Sequence, residues 1–337
     1  MSEIELRKDY LQAETIETFY FGGGTPSVLS GSELRGLTEK VITTFKIASG
    51  PEITIEANPD DITEEKLNQW QEAGINRLSI GIQSFFDNDL LWMNRAHNSE
   101  QAAKSLELAI GHFDNISVDL IYGTPLLTNE HWKFNIDRII GYGVPHLSCY
   151  ALTVEPKTPL HRMIREKKTA DIDPEKQSDQ FLYLMERMER AGYEHYEISN
   201  FANEGFRSRH NSSYWCAGKK YLGIGPSAHS FDGRSRQWNI ANNTVYIDSL
   251  KKGTVPFEKE ILTPVQKVNE YIMTSLRTME GMDLKKVEDE TTSNELREES
   301  RKFIERGLMW EEQDHLKLTR QGKLLADGIA AELFRDS

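Results

Sequence analysis

The sequence predicts an α/β protein: a parallel sheet, closed or partly closed into a barrel, followed by a C-terminal segment of winged-helix character. Three observations carry that prediction. Short β-rich runs alternate with amphipathic helical stretches through the first half of the chain, the rhythm of right-handed βαβ units. The chemically unusual residues sit at or just past the C-terminal ends of those runs, where barrels and open α/β sheets place their ligands. Beyond Leu152 the alternation stops, and glycine-rich, aromatic and then helical stretches take over.

The chain opens on an amphipathic helical pattern of Ile4, Leu6, Tyr10 and Leu11. A parallel sheet that starts with a helix implies an earlier strand that is absent or lies elsewhere. Strands are expected at 17–21, 52–56, 77–81, 116–121 and 146–151. Ser30 and Glu33 make a capping box ahead of Leu34, Leu37 and Val41. Thr63 caps a helix that buries Leu67 and Trp70 and stops at Gly74. Ser99 opens a helix ending near Gly111, and Thr128 one ending near Gly141. A long charged helix near 174–191 leads into a strand-like stretch at 193–199. The expected organisation is a barrel over 1–200, an aromatic and glycine-rich region over 201–262, and a winged-helix-like domain over 263–337. That last segment reads helix, helix, a hairpin-like stretch, then a helix from Thr319 carrying Leu324, Leu325 and Ile329.

Composition narrows the function. A hydrophobic content of 38% beside 28% charged residues describes a globular chain with a substantial core. The net charge of −13 argues against a broad phosphate-binding surface, so no nucleic-acid partner is expected. Two cysteines, Cys149 and Cys216, form neither a disulfide framework nor a zinc pattern and fit a reducing compartment. No apolar run is long enough to span a bilayer, and Met1-Ser2-Glu3 begins no signal peptide. A cytoplasmic protein is expected.

Residues with chemistry cluster at the strand ends. Tyr20-Phe21-Gly22-Gly23-Gly24-Thr25-Pro26 runs a strand into three glycines. Successive glycines let backbone N–H and C=O groups approach a ligand without Cβ obstruction. This is no dinucleotide fingerprint, because Pro26 and Ser30 delay the helix. Glu56, beside the turn at Asn58-Pro59, is either a ligand group or a turn-capping acid. Gln83 follows the third strand. Arg95 beyond it offers a planar fork for a carboxylate, or a surface ion pair. Asp119 is embedded in an apolar strand and needs a partner, either a ligand diol or a protein donor. Ala151 closes the fifth strand.

Together Gly22, Gly23, Gly24, Thr25, Glu56, Gln83, Arg95, Asp119 and Ala151 make a set matched to S-adenosylmethionine, which presents an ammonium, a carboxylate, a ribose diol and an adenine. Glycine-loop carbonyls suit the ammonium, Arg95 the carboxylate, and Gln83 with Asp119 the diol. At this point the chain resembles the HemW proteins, haem-chaperone relatives of oxygen-independent coproporphyrinogen III oxidase in the radical S-adenosylmethionine superfamily. The resemblance covers essentially the whole chain. It rests on the glycine run, Glu56-Ala57-Asn58-Pro59, Gly81-Ile82-Gln83-Ser84, Arg95, Asp119-Leu120-Ile121-Tyr122-Gly123 and Ile198-Ser199-Asn200-Phe201-Ala202. More specific still are Arg209-His210-Asn211-Ser212-Ser213-Tyr214-Trp215, Tyr221-Leu222-Gly223-Ile224-Gly225 and Ala228-His229-Ser230.

The resemblance implies a partial (β/α)6-type radical SAM barrel missing its first strand, with S-adenosylmethionine, haem and a 4Fe–4S cluster as cofactors. It also implies haem delivery to acceptor proteins, with peripheral association where those acceptors are membrane-bound. In this family haem binding is associated with a His-Asn-x-x-Tyr element, here His210, Asn211 and Tyr214, with His210 as the haem-iron ligand. Imidazole and phenolate are both competent axial ligands, and Trp215 and Tyr221 offer stacking surface. The bland alternative is a hydrogen-bonded structural turn. One departure stands out: the family's CxxxCxxC loop has no counterpart here, so the cluster's cysteine ligands are missing. The expectation is a haem chaperone impaired by that absence and performing no radical chemistry. The alternatives are an oxygen-independent coproporphyrinogen III oxidase, whose decarboxylation requires the cluster, or an inactive fragment.

Overall fold

The computed structural model describes residues 1–336. The chain folds as two compact units. One comprises Tyr20–Ser30 and Ile53–Ser208; the other comprises Met1–Phe19, Gly31–Glu52 and the chain from Arg209 onward.

After a short opening helix α1 (Ser2–Leu6), the five expected strands form as β1 (Ile16–Phe21), β2 (Ile47–Ala57), β3 (Arg77–Gln83), β4 (Ile116–Tyr122) and β5 (His146–Ala151). They alternate with α2 (Gly31–Thr44), α3 (Glu64–Glu72), α4 (Asp87–Trp92), α5 (Ser99–Ile110) and α6 (Asn129–Gly141). β2 starts five residues before the sequence suggests, because the strand continues through Gly50-Pro51 instead of breaking there. Pairing is parallel from β2 through β5. Every residue of β3 is buried, the condition of a strand covered on both faces. Ile55, Leu67, Leu78, Ile80, Val118, Leu120 and Ile136 are fully buried around it, each contributing about 1.5–3 kcal/mol.

The caps are local and mostly legible. Thr63 and Thr128 accept from the amides of Lys66 and His131. α5 opens at Ser99 as expected, and its cap is Asn98, which hydrogen-bonds reciprocally with Gln101. Beyond β5 come α7 (Pro159–Arg165) and α8 (Pro174–Arg190), the latter burying Phe181, Leu184, Met185 and Met188. The strand-like stretch at 193–199 holds β6 (Glu194–Glu197), and a second short strand that the sequence did not suggest, β7 (Asn200–Ala202), follows it as a hairpin. β7 lies antiparallel against β5 and β6 against β7. The sheet order β1-β2-β3-β4-β5-β7-β6 leaves β1 and β6 as free edges. It is an open half-barrel, not a closed one.

In the other unit, α9 (Arg209–Trp215) precedes an antiparallel sheet of β8 (His229–Phe231), β9 (Ser235–Asn239) and β10 (Phe257–Ile261), with α10 (Asn243–Lys251) between the last two. The opening helix is shorter than its pattern suggests. It ends at Leu6, which is exposed, and the chain turns through Gln12 and Ala13 at positive φ. It buries Ile4 and, unusually, an acid: the Glu3 carboxylate accepts from the Gly225 amide at 2.8 Å, from Asn239 at 2.7 Å and from the Tyr246 hydroxyl. The C-terminal part combines helices with a small antiparallel sheet, as α11 (Pro264–Ser275), β11 (Met282–Asp283), α12 (Glu290–Glu305), β12 (Met309–Glu312) and β13 (His315–Leu318), then α13 (Arg320–Lys323) and α14 (Ala326–Glu332).

Candidate functional site

The glycine run leaves β1 directly, and its three glycines serve different ends. Gly23 and Gly24 take φ of 76° and 67°, left-handed values that a side chain resists. Gly22 is needed for space: a Cβ there would overlap the Tyr20 ring and lie 2.9 Å from Glu56 Oε1. Glu56, at the end of β2, holds the loop with both oxygens. Oε2 accepts from the Gly23 amide at 3.0 Å and Oε1 from the Tyr20 hydroxyl at 2.8 Å. Burial and the adjacent Glu56 charge push the Tyr20 phenol far above its ordinary value, so it remains a donor. Ser27 donates to Asp61 at 2.6 Å, and Lys66 donates to the Ser27 and Leu29 carbonyls at 2.8 Å each. Thr25 is exposed where the loop enters a short 3-10 turn.

The third strand ends unusually. Gln83 has φ 64°, and the Ser84 amide donates to the Ile82 carbonyl at 2.8 Å across it. This is the rare, strained γ-turn, and strain of this kind concentrates at functional sites. Glutamine carries no sequence signal for it. Ser79, Gly81 and Gln83 alternate onto one strand face. A Cβ on Gly81 would lie 2.9 Å from both Arg95 Nη2 and Gln83 Nε2, so the bare glycine lets the guanidinium and the amide converge. Arg95 Nη2 also donates to the Gly81 carbonyl at 3.3 Å. Burial lowers the Arg95 pKa, while the charges of Asp119 and Asp60 oppose that shift.

Asp119, on β4, accepts from Ser79 Oγ at 3.3 Å to each oxygen. Burial raises its carboxyl to about 6; a Ser148 hydrogen bond opposes the shift and the Glu56 charge adds to it. The structure therefore joins Gly22, Gly23 and Glu56 by direct contact and brings Gln83 and Arg95 together beside Gly81, while Asp119 meets Ser79 and acts on Arg95 through its charge. Ala151 is exposed at the end of β5, opposite Tyr122. Sequence reasoning missed Tyr20, Ser79 and Ser148. The period-two alternation of Ser79, Gly81 and Gln83 was the signal that reveals Ser79. In chemical terms the group offers backbone polar atoms, a guanidinium, an amide and a carboxylate titrating near neutrality, which fits a zwitterionic amino acid joined to a diol.

His210, Asn211 and Tyr214 lie on α9. The Glu52 carboxylate on β2, buried, accepts from the amides of Arg209 at 3.0 Å and His210 at 2.8 Å and caps that helix. His210 Nδ1 is 2.9 Å from Thr18 Oγ1, and Nε2 is 3.2 Å from the Tyr214 hydroxyl. Burial lowers the His210 imidazole to about 4, so it is neutral at physiological pH. Its ring begins an aromatic chain through Tyr214 and Tyr221 to Phe231, with centroid steps of 5.1, 5.0 and 6.2 Å. Asn211 is half-buried one position along. The Trp215 ring takes the Arg277 guanidinium at 5.2 Å, and its buried Nε1 has no hydrogen-bond partner. Stacking surface beside His210 comes from Tyr214 and Tyr221. Cys149 is buried in β5, where burial pushes its thiol well up, and Cys216 is exposed just after α9. Among the described residues no three His, Cys, Asp or Glu side chains group as a metal site.

Comparison with known proteins agrees across the chain. Residues 1–139 match the model of the radical SAM superfamily, and residues 262–325 that of the HemN C-terminal domain. The chain is 33% identical to the heme chaperone HemW of Bacillus subtilis, over 93% of this chain and 84% of that one. It is 34% identical to HemW of Mycobacterium tuberculosis, over 99% and 84%, and 31% identical to HemW of Escherichia coli, over 96% and 85%. Among solved structures, coproporphyrinogen III oxidase (HemN) from Escherichia coli, a radical SAM enzyme, superposes with a TM-score of 0.80 at 22% identity, covering 98% of this chain and 81% of that one. No helix among the described residues is long and apolar enough to cross a membrane.

Proposed function

Since the chain belongs to the HemW family of radical SAM proteins, we propose that it is a haem chaperone, binding haem on the α9 helix and delivering it to acceptor proteins. The observation that carries this is the His210 group. A neutral imidazole on a helix face, flanked by the half-exposed Tyr214 and by Tyr221, combines an iron ligand with an apolar wall for a porphyrin. S-adenosylmethionine is assigned to the strand-end group. There Gly22–Thr25 and Glu56 hold its ammonium end, Arg95 its carboxylate, Gln83 and Asp119 its ribose, with Ala151 beside it. Of the family's cofactors, a 4Fe–4S cluster fits this chain least. Its two thiols lie one in a buried strand and one exposed after α9, and neither belongs to a three-residue group. We assign this chain no radical chemistry.

The second reading, an oxygen-independent coproporphyrinogen III oxidase, has in its favour the fold shared with the Escherichia coli oxidase. It is the weaker reading, because fold does not carry function and that reaction needs the cluster. Acceptors at a membrane surface would be met peripherally. The deciding experiment is titration of haem into wild type and His210→Ala, followed by the Soret band, with circular dichroism as folding control. A shifted band and at least tenfold weaker binding in the variant are expected. Indistinguishable spectra and affinities would reject His210 as the ligand and leave α9 as a structural turn.

A further inference from the structure

Hydroxyls from two distant parts of the chain meet at the His210 imidazole. Thr18 on β1, 192 residues earlier in the chain, places Oγ1 2.9 Å from Nδ1. Tyr214, one turn along α9, places its hydroxyl 3.2 Å from Nε2. A neutral imidazole has one N–H and one lone pair, so the two hydroxyls divide the roles between them. A phenol, with a pKa of about 10, is a far better proton donor than an aliphatic alcohol. The matched assignment has Tyr214 donating to Nε2 and Thr18 accepting from Nδ1–H.

The two partners also differ in freedom. Thr18 is β-branched, half-buried and on a strand, so its χ1 is restricted. Tyr214 is 43% exposed and has room to swing outward. We propose that Thr18 is a positioning residue that locks His210 in the Nδ1–H tautomer, while the Tyr214 hydroxyl caps the Nε2 lone pair until an iron-centred ligand displaces it. This rests on the reading of His210 as the haem ligand and extends it to a residue outside the His-Asn-x-x-Tyr element. Metal-bound imidazoles generally hand their second N–H to an oxygen acceptor, which fixes the tautomer and raises ligand basicity. Thr18 supplies that acceptor.

The test begins without haem. Long-range proton–nitrogen NMR of the ligand-free full chain at neutral pH reads the His210 tautomer directly. Wild type and Thr18→Ser are expected as Nδ1–H, and Thr18→Val as a mixture moved toward Nε2–H. Haem titration of the same proteins follows, with the chloride of ferric haem as the probe. Affinity should drop roughly 10- to 100-fold in Thr18→Val and recover in Thr18→Ser. Tyr214→Phe, which removes the cap but not the ligand, should speed haem association. An Nε2–H tautomer in wild type, or an unchanged tautomer in folded Thr18→Val, would overturn the proposal. Haem binding unchanged by His210→Ala would instead overturn the haem reading, and the ligand-free tautomer measurement separates the two failures.

Discussion

Gly22→Ala tests how the glycine loop is built. The added Cβ would lie 2.8 Å from Tyr20 Cδ1, overlap Cε1 still more, and reach 2.9 Å from Glu56 Oε1. Carbon atoms pack at about 3.5–4.0 Å, so the ring must move by the better part of an ångström. That motion breaks the 2.8 Å hydrogen bond from Tyr20 to Glu56. Losing a hydrogen bond to a charged group costs about 1.5–3 kcal/mol, and overpacking adds about 1–3 kcal/mol where the neighbour cannot give way. Partial relaxation leaves a net destabilisation of roughly 3 kcal/mol. Gly23→Ala is the informative control. Nothing stands within 4 Å of its Cβ, but φ is 76°, so its cost is the backbone's alone, about 1–2 kcal/mol. Urea unfolding of the two variants and wild type should rank Gly22→Ala below Gly23→Ala. Adding Tyr20→Ala to Gly22→Ala should recover part of the loss, as coupled neighbours do. Calorimetric titration of S-adenosylmethionine should show at least a tenfold loss for Gly22→Ala, because Glu56 is turned away from the loop. A Gly22→Ala protein unfolding within about 0.5 kcal/mol of wild type, with unchanged affinity, would refute the reasoning.

Three further outcomes follow from the site. Asp119 titrates near 6 because it is buried, so S-adenosylmethionine affinity should fall up to tenfold per unit as pH drops below that value, and Asp119→Asn should flatten the profile. For stability the sign is opposite to that of an ordinary salt-bridged acid. The folded pKa is raised from 3.8, so ionised Asp119 costs stability above about 6, and the cost is relieved as pH falls from there toward 3.8. Asp119→Asn should therefore be the more stable protein at pH 8, with the gap closing below pH 4; a gap that widens in acid would contradict this. Anaerobic reconstitution with iron and sulfide should yield no stoichiometric 4Fe–4S cluster by absorbance or EPR, and a full cluster surviving Cys149→Ala with Cys216→Ala would overturn that expectation. Trp215→Ala should lower the unfolding midpoint, by about 2 kcal/mol for a half-buried ring, yet leave haem affinity within twofold. A large affinity loss would return Trp215 to the porphyrin wall.

The sequence by itself determined where the first five strands and several of the helices between them fall, and which residues stand at the strand ends. Those features are local: Thr63 and Thr128 cap amides three residues away, and apolar periodicity names the faces that must be buried. His210, Asn211 and Tyr214 stood out through the family resemblance alone, and that they share one helix, α9, was not legible from any periodicity. What only the tertiary structure decided depends on partners that the chain brings together from afar, or on backbone states that a residue does not prefer alone. β2 runs through Gly50-Pro51, where local propensity alone suggests a break. Beyond the 193–199 stretch, Asn200–Ala202 folds back as β7, pairing with β6 and filling the open side of β5. Gln83 sits at a positive φ that its own side chain disfavours, and Gly81 matters because Arg95 arrives beside it. Trp215 meets the Arg277 guanidinium, a partner far downstream in the chain, at 5.2 Å. Thr18 reaches His210 across 192 residues. No periodicity encodes such a meeting; it exists only once the folded backbone holds both groups at hydrogen-bonding distance.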